Sequence, residues 1–235
     1  MQADEEELRR KLRRIDGRGY KAYKEIRGSY RVGDLELHVD HVQGDPFASP
    51  SLLRARFPQE RASLPQELFA GSVRRIALAD FLTRRVAASI HRRVRGRRGS
   101  GKSGLIFIDA GGQEVLERTA VAIDPHWVEA RLQVGLPAAG RRVLGREAEA
   151  LLCDELPRIV DEGLLWDRLP RERATQFVFC VENQEWIREQ LADRGLVAFV
   201  ADASLLPRES GASDRPMAEG AVQFCAPETL RVSFE

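Results

Sequence analysis

Apolar residues return every third or fourth position from Asp4 to Ile15, and Leu8, Leu12 and Ile15 share one face, which predicts an opening helix. Glu5, Glu6 and Glu7 each stand four residues before Arg9, Arg10 or Lys11, acid leading base as the helix dipole favours, and Gly17 marks the stop. A glycine-rich aromatic segment, GRGYKAYKEIRGSY from Gly17 to Tyr30, leads to DLELHVDHV, where Leu35, Leu37 and Val39 alternate as in a strand. Pro46 and Pro50 make QGDPFASPS a turn-rich connection, and LLRARF, Leu52 to Phe57, reads as a second short strand. Asp80 fits an N-cap for a helix running to about Arg95, with Leu82, Val86, Ile90 and Val94 on one side. Arg84, Arg85, His91, Arg92 and Arg95 occupy the other side, and Arg93 falls near the apolar stripe.

After Gly104 the period shortens to two. GLIFIDA, EVLERTAVAID and HWVEARLQV predict three consecutive strands in an antiparallel meander, punctuated by Gly111–Gly112 and Asp124–Pro125. A helical region from Gly145 to Leu165 follows, bent or split at Pro157. ATQFVFCV then reads as a buried strand, NQEWIREQLADRG as a short helix and LVAFVA as another strand. Leu205 to Ala218 is loop-like, and TLRVSF is a final strand. The expected fold class is α+β, an antiparallel β meander with flanking helices. We expect one domain over 1–235, divisible into lobes 1–70 and 71–235.

Composition narrows the function classes. The chain has 235 residues, 43% of them hydrophobic and 31% charged, which is the balance of a globular protein. No apolar run reaches the roughly 18 residues of a membrane helix, and the acidic start, Met1 to Glu7, is unlike a secretory signal. Cys153, Cys180 and Cys225 are odd in number and far apart, so neither a disulfide framework nor a zinc site is expected. A reducing, cytoplasmic location and no membrane partner follow. His38, Asp40 and His41 are the nearest approach to a metal cluster, but a strand turns His41 away from the other two, and no metal is expected. No Ser–His–Asp or Cys–His arrangement has motif context, so no catalytic residue is nominated.

The net charge of +1 conceals a local excess. From Phe81 to Ile108 there is no Asp or Glu, and the stretch holds Arg84, Arg92, Arg93, Arg95, Arg97, Arg98 and Lys102. These residues are the candidate nucleic-acid contacts, through backbone phosphates and not base edges, because the loop has no aromatic group. A solvated charged loop is the bland alternative. Within the same stretch GRRGSGKS, Gly96 to Ser103, satisfies G-x-x-x-x-G-K-S. A phosphate loop needs a strand before it and a helix after it, and here that order is reversed, so the match is read as a decoy. Arg18, Tyr20, Tyr23 and Lys24 form a second candidate group, for nucleotide or interdomain contact. The alternative there is an ordinary loop packing two tyrosines.

Three segments together, IDGRGYKAYKEIRGSY, HVQGDPFASPS and LPRESGASDRP, resemble a known family. RGSGKSGLIFIDAGGQEVLERTAV and ETLRVSFE support the match. The chain is similar over essentially its whole length to the N-terminal region of the "predicted ATPase of the ABC class" proteins of bacteria and kinetoplastids. The resemblance implies an accessory domain that precedes an ATP-binding cassette with its own Gly-rich Lys–Ser/Thr loop. It implies that ETLRVSFE leads into that cassette and that ATP and Mg²⁺ belong to the cassette; with no downstream phosphate loop, ABC signature or Walker B strand in the sequence, the cassette is expected to be absent and this chain alone to be no enzyme. Kinetoplastid members are associated with RNA editing, which implies RNA in preference to DNA. The leading expectation is therefore a non-catalytic, RNA-binding domain. The alternative is a regulatory or dimerisation module that packs on its own cassette and contacts nucleotide only in the full-length protein, with a homodimer as a further partner.

Overall fold

A computed structural model of the chain describes residues 3–94 and 96–232. It begins with β1 (Ala3–Asp4), α1 (Glu5–Ile15), β2 (Gly28–Val32), β3 (Leu35–His41), β4 (Ser51–Pro58), α2 (Gln59–Ala62) and α3 (Ser72–Arg93). Next come β5 (Ile106–Phe107), β6 (Val121–Ile123), β7 (Trp127–Val134), β8 (Ala138–Ala139) and β9 (Arg142–Val143). The helices α4 (Gly145–Glu149), α5 (Leu156–Leu164) and α6 (Arg171–Gln190) complete it.

The main sheet runs β1-β2-β3-β4-β7, and both β5 and β6 pair with the outer edge of β7. β2, β3, β4 and β7 are antiparallel neighbours, and β1 alone is parallel. Alternation decides which face is covered. Tyr30, Leu37, Ala55 and Ala130 stand in one register row, Val39, Leu53 and Leu132 in the next, and all are buried beneath the helices. The opposite face is polar, with Ser29, His38, Arg54 and Arg131 in register. β4 pairs along its length with β7, so one sheet spans residues on both sides of position 70.

On that polar face Glu129 is nonetheless buried, because Arg54, Arg56 and Arg131 all close on its carboxylate, at 3.1, 2.7 and 3.2 Å. Burial pushes its pKa up, but the hydrogen bonds from Arg56 and Arg131 outweigh this and hold it below the usual carboxylate value. Asp40 pairs with Arg54 at 2.6 Å, and the Ser29 hydroxyl meets His38 Nδ1 at 2.8 Å. These side chains serve the sheet surface.

α1 forms as its pattern predicts: the Asp4 carboxylate accepts from Glu7 N, and Leu8, Leu12 and Ile15 are fully buried. Glu149 of α4 clamps it through Arg9 and Arg13. The predicted helical region from Gly145 becomes α4, a π-helical turn over Ala150–Glu155, and α5, one continuous run in which Pro157 directly follows the π-helical turn.

Five local expectations are revised. α3 starts at Ser72, and Asp80 is no N-cap: it is buried in mid-helix and paired with Arg84 at 2.6 Å. EVLERT forms no strand; its first carbonyl, Glu114 O, and that of Gly112 before it accept from the Arg84 guanidinium, and β5 and β6 pair with β7 and not with each other. ATQFVFCV and the helix expected after it are one helix, α6. Its Ala174 and Val178 are buried, Phe177 packs on Phe81 of α3 with ring centroids 5.6 Å apart, and Glu182 pairs with Arg74 at 2.6 Å. LVAFVA has no regular structure, and Val197 is 99% exposed. Of TLRVSF, Thr229 and Leu230 belong to the 3-10 turn Glu228–Leu230, Arg231 and Val232 have no regular structure, and the last residues lie outside those described. No helix among the described residues is long and apolar enough to cross a membrane.

Candidate nucleic-acid interface

The Gly96–Ser103 loop joins α3 to β5, so it has a helix before it and a strand after it. Several of its backbone donors are already occupied, as is that of Gly104 just after it. Arg98 N donates to Ser103 O, Ser100 N to Ala138 O, Lys102 N to Pro46 O and Gly104 N to Gly135 O, at 2.7–3.0 Å. The Ser103 hydroxyl, in the position that would hold a metal ion in a phosphate loop, is buried; it donates to Ser100 O at 2.6 Å and accepts from Ala138 N at 3.0 Å. The loop therefore does not fit a nucleotide triphosphate cradle, which needs those N–H groups free. Its glycines serve close packing instead. A Cβ on Gly99 would collide with the Ala138 carbonyl, and one on Gly101 with the Pro46 carbonyl.

The sequence-nominated cations divide into two classes. Arg84 is spent on Asp80 and the carbonyls of Gly112 and Glu114. Arg92 and Arg93 both bind Glu162, and Arg98 binds Glu155 and is only 15% exposed. Arg97 and Lys102 are exposed and in no ion pair among the described residues. Arg95 lies outside the described residues. In the second group Tyr20 and Tyr23 are buried, their hydroxyls donating to Leu136 O and Pro137 O at 3.1 and 2.6 Å. Arg18 pairs with Glu25 at 2.8 Å, while Lys24 is exposed and unpaired among the described residues.

What sequence reading could not show is that the two groups meet. The β8–β9 hairpin lies between them. On one side Ser100 N donates to Ala138 O, and the Ser100 hydroxyl accepts from Gly140 N at 2.8 Å. On the other, Tyr20 N donates to Arg141 O at 2.8 Å, and Gly17 N to Val143 O at 2.9 Å. The 3-10 turn Tyr20–Ile26 buries every third residue, Tyr20, Tyr23 and Ile26, and so leaves Lys21 and Lys24 outward. Arg141 and Arg142, at the hairpin tip, are exposed and in no ion pair among the described residues. Three distant segments thus bring Arg97, Lys102, Arg141, Arg142, Lys21 and Lys24 to one end of the fold. The adjacent acids are engaged: Glu25 by Arg14 and Arg18, Asp16 by Gly145 N, and Asp45 by the amides of Phe47 and Ala48. The signal available in sequence was the arginine pair after Gly140, a turn-tip doublet.

Glu162 measures how strongly the other arginines are held. The hydrogen bond from Arg93, with those from Ser89 and Arg92, lowers its pKa to about 2. A lowered carboxylate stabilises the fold above its ordinary range and loses that contribution as pH falls toward 2. Glu162→Gln is expected to cost about 1–2 kcal/mol at neutral pH, after allowing for solvent screening of this part-exposed pair. Denaturant unfolding at several pH values checks this: the gap between variant and parent should close between about pH 4.5 and pH 2.

Residues 5–167 match the family model described as "ATPase of the ABC class N-terminal", and residues 170–235 match an ABC ATPase P-loop domain. The chain therefore covers more than the N-terminal domain. No curated protein matches it.

Proposed function

Since the chain belongs to the ABC-class ATPase family, we propose that residues 5–167 are a non-catalytic domain of such an ATPase that binds nucleic acid by its phosphates. The observation that carries this reading is the convergence of Arg97, Lys102, Arg141 and Arg142, in no ion pair among the described residues, at one end of the fold beside Lys21 and Lys24. Clustered exposed cations release counterions on meeting a polyphosphate chain, which favours binding without sequence readout. RNA in preference to DNA rests on the resemblance alone. ATP and Mg²⁺ belong to the family's P-loop domain, and we assign no step of hydrolysis to Gly96–Ser103, where the amides of Arg98, Ser100, Lys102 and Ser103 donate to protein carbonyls.

The lysines supply a test with its own control. They are Lys11, Lys21, Lys24 and Lys102. Lys11 is tied to Glu7 and to the Tyr30 hydroxyl, at 3.0 and 3.1 Å, away from the basic end. Acetylation footprinting of the full chain with and without a 12-nucleotide RNA is expected to show Lys102, Lys21 and Lys24 protected and Lys11 unchanged. Unaltered reactivity of Lys102 under saturating RNA would overturn the proposal.

A second reading, a regulatory or dimerisation module acting on the P-loop domain, is supported by a different observation. Val197, Leu206, Val222 and Leu230, all in the part that matches that domain, are largely uncovered.

A further inference from the structure

The loop 43–51, which the sequence offers only as a turn-rich connection, is built with more care than a connection needs. Gln43 is buried, donates to Asp45 O at 2.9 Å and accepts from Ser51 N and Leu136 N. The Asp45 carboxylate accepts from Phe47 N and Ala48 N at 2.8 and 3.1 Å, fixing the turn. Pro46 O accepts from Lys102 N at 2.8 Å, an approach open only because Gly101 has no side chain. The product of this bracing is an exposed aromatic ring. Phe47 is 64% exposed, more than any other large apolar side chain described in residues 5–167. It stands against the Gly101–Lys102 peptide, at the margin of the cationic surface.

A large apolar ring held in water by a rigid turn is costly unless something covers it. Its neighbours say what: cations that attract phosphate lie on one side, and a flat π-face is offered beside them. We infer that Phe47 is a stacking platform for an unpaired nucleobase, so that the ligand of this surface is single-stranded. Duplex bases stay stacked on one another and present no face to it, whereas any base of a single strand can splay onto an aromatic ring while its phosphates meet Lys102 and Arg97. The inference deepens the phosphate-binding proposal and rests on it. It also revises the backbone-only mode expected from the sequence, since the aromatic group comes from a loop about fifty residues upstream of the basic one.

The test uses the full chain, its Phe47→Ala and Phe47→Trp variants, and three probes: a 12-nucleotide single-stranded RNA, a duplex of it and an abasic phosphate chain of equal length. Phe47→Ala is expected to weaken binding of the single strand about tenfold and to leave the abasic probe unchanged. Phe47→Trp is expected to restore the affinity, with tryptophan emission quenched on binding. Equal single-strand affinity for Phe47→Ala and the parent overturns the stacking role but leaves phosphate binding standing. So does an equal loss on the abasic probe, which would mean a role in loop structure. Absence of binding to all three probes at low salt overturns both. Thermal midpoints of the variants, expected to match the parent because the ring is exposed, separate these outcomes from misfolding.

Discussion

Gly99→Ala is expected to destabilise the chain by about 3–4 kcal/mol, although the residue is exposed and in a loop. Its φ of 123° is a conformation that a side chain strains, and an added Cβ would collide with the backbone carbonyl of Ala138. Neither strand can give way cheaply. Ser100 N donates to that same carbonyl, and Ala138 N donates to the buried Ser103 hydroxyl, so moving the hairpin breaks bonds on both sides of the contact. Gly140→Ala is the control. Its φ is 58°, also left-handed, but nothing lies within 4 Å of the position a Cβ would take. About 1 kcal/mol is expected there. Thermal melts of the two variants should differ by roughly 5–10 °C, and equal midpoints would mean that the loop and the hairpin are not in contact.

The second large effect concerns ligand binding. Changing Arg97, Lys102, Arg141 and Arg142 together to Glu is expected to weaken single-stranded RNA binding by more than about 100-fold at low salt. Each change removes an attraction and adds a repulsion at a side chain exposed to solvent. None of the four takes part in an ion pair among the described residues, so the fold should survive with its melting midpoint little altered. The same substitution at Arg92, Arg93 or Arg98 is a different experiment. There it would set carboxylate against Glu162 or Glu155, and the expected loss is in stability. Measuring both quantities on both sets separates a binding surface from structural arginines.

That separation is where the sequence was least informative. The basic run was plain from its composition, and the reversed order of helix, loop and strand was enough to set aside the phosphate-loop match. The partners were not legible. Glu155 lies 57 residues from Arg98, and Glu162 lies 69 from Arg93, and only tertiary packing brings them together. Helices whose caps and periodicity are local, such as α1 and the α4–α5 region, were readable for the same reason. The helix α6 was not, because Phe177, Val178, Phe179 and Val181 give a strand-like run; packing of Ala174, Phe177 and Val178 against α3 overrides that preference. At EVLERT the Glu114 carbonyl is taken by the side chain of Arg84, 30 residues away, a partner that alternation in the sequence does not reveal.

The salt dependence of single-stranded RNA binding by the unaltered chain decides whether the basic end is a nucleic-acid surface. Four neutralised phosphates predict that log affinity falls linearly with log salt, with a slope of about −3, and that the slope collapses in the four-site Glu variant. No binding at low salt, or a slope unchanged by that variant, would contradict the assignment of the basic end as a nucleic-acid surface.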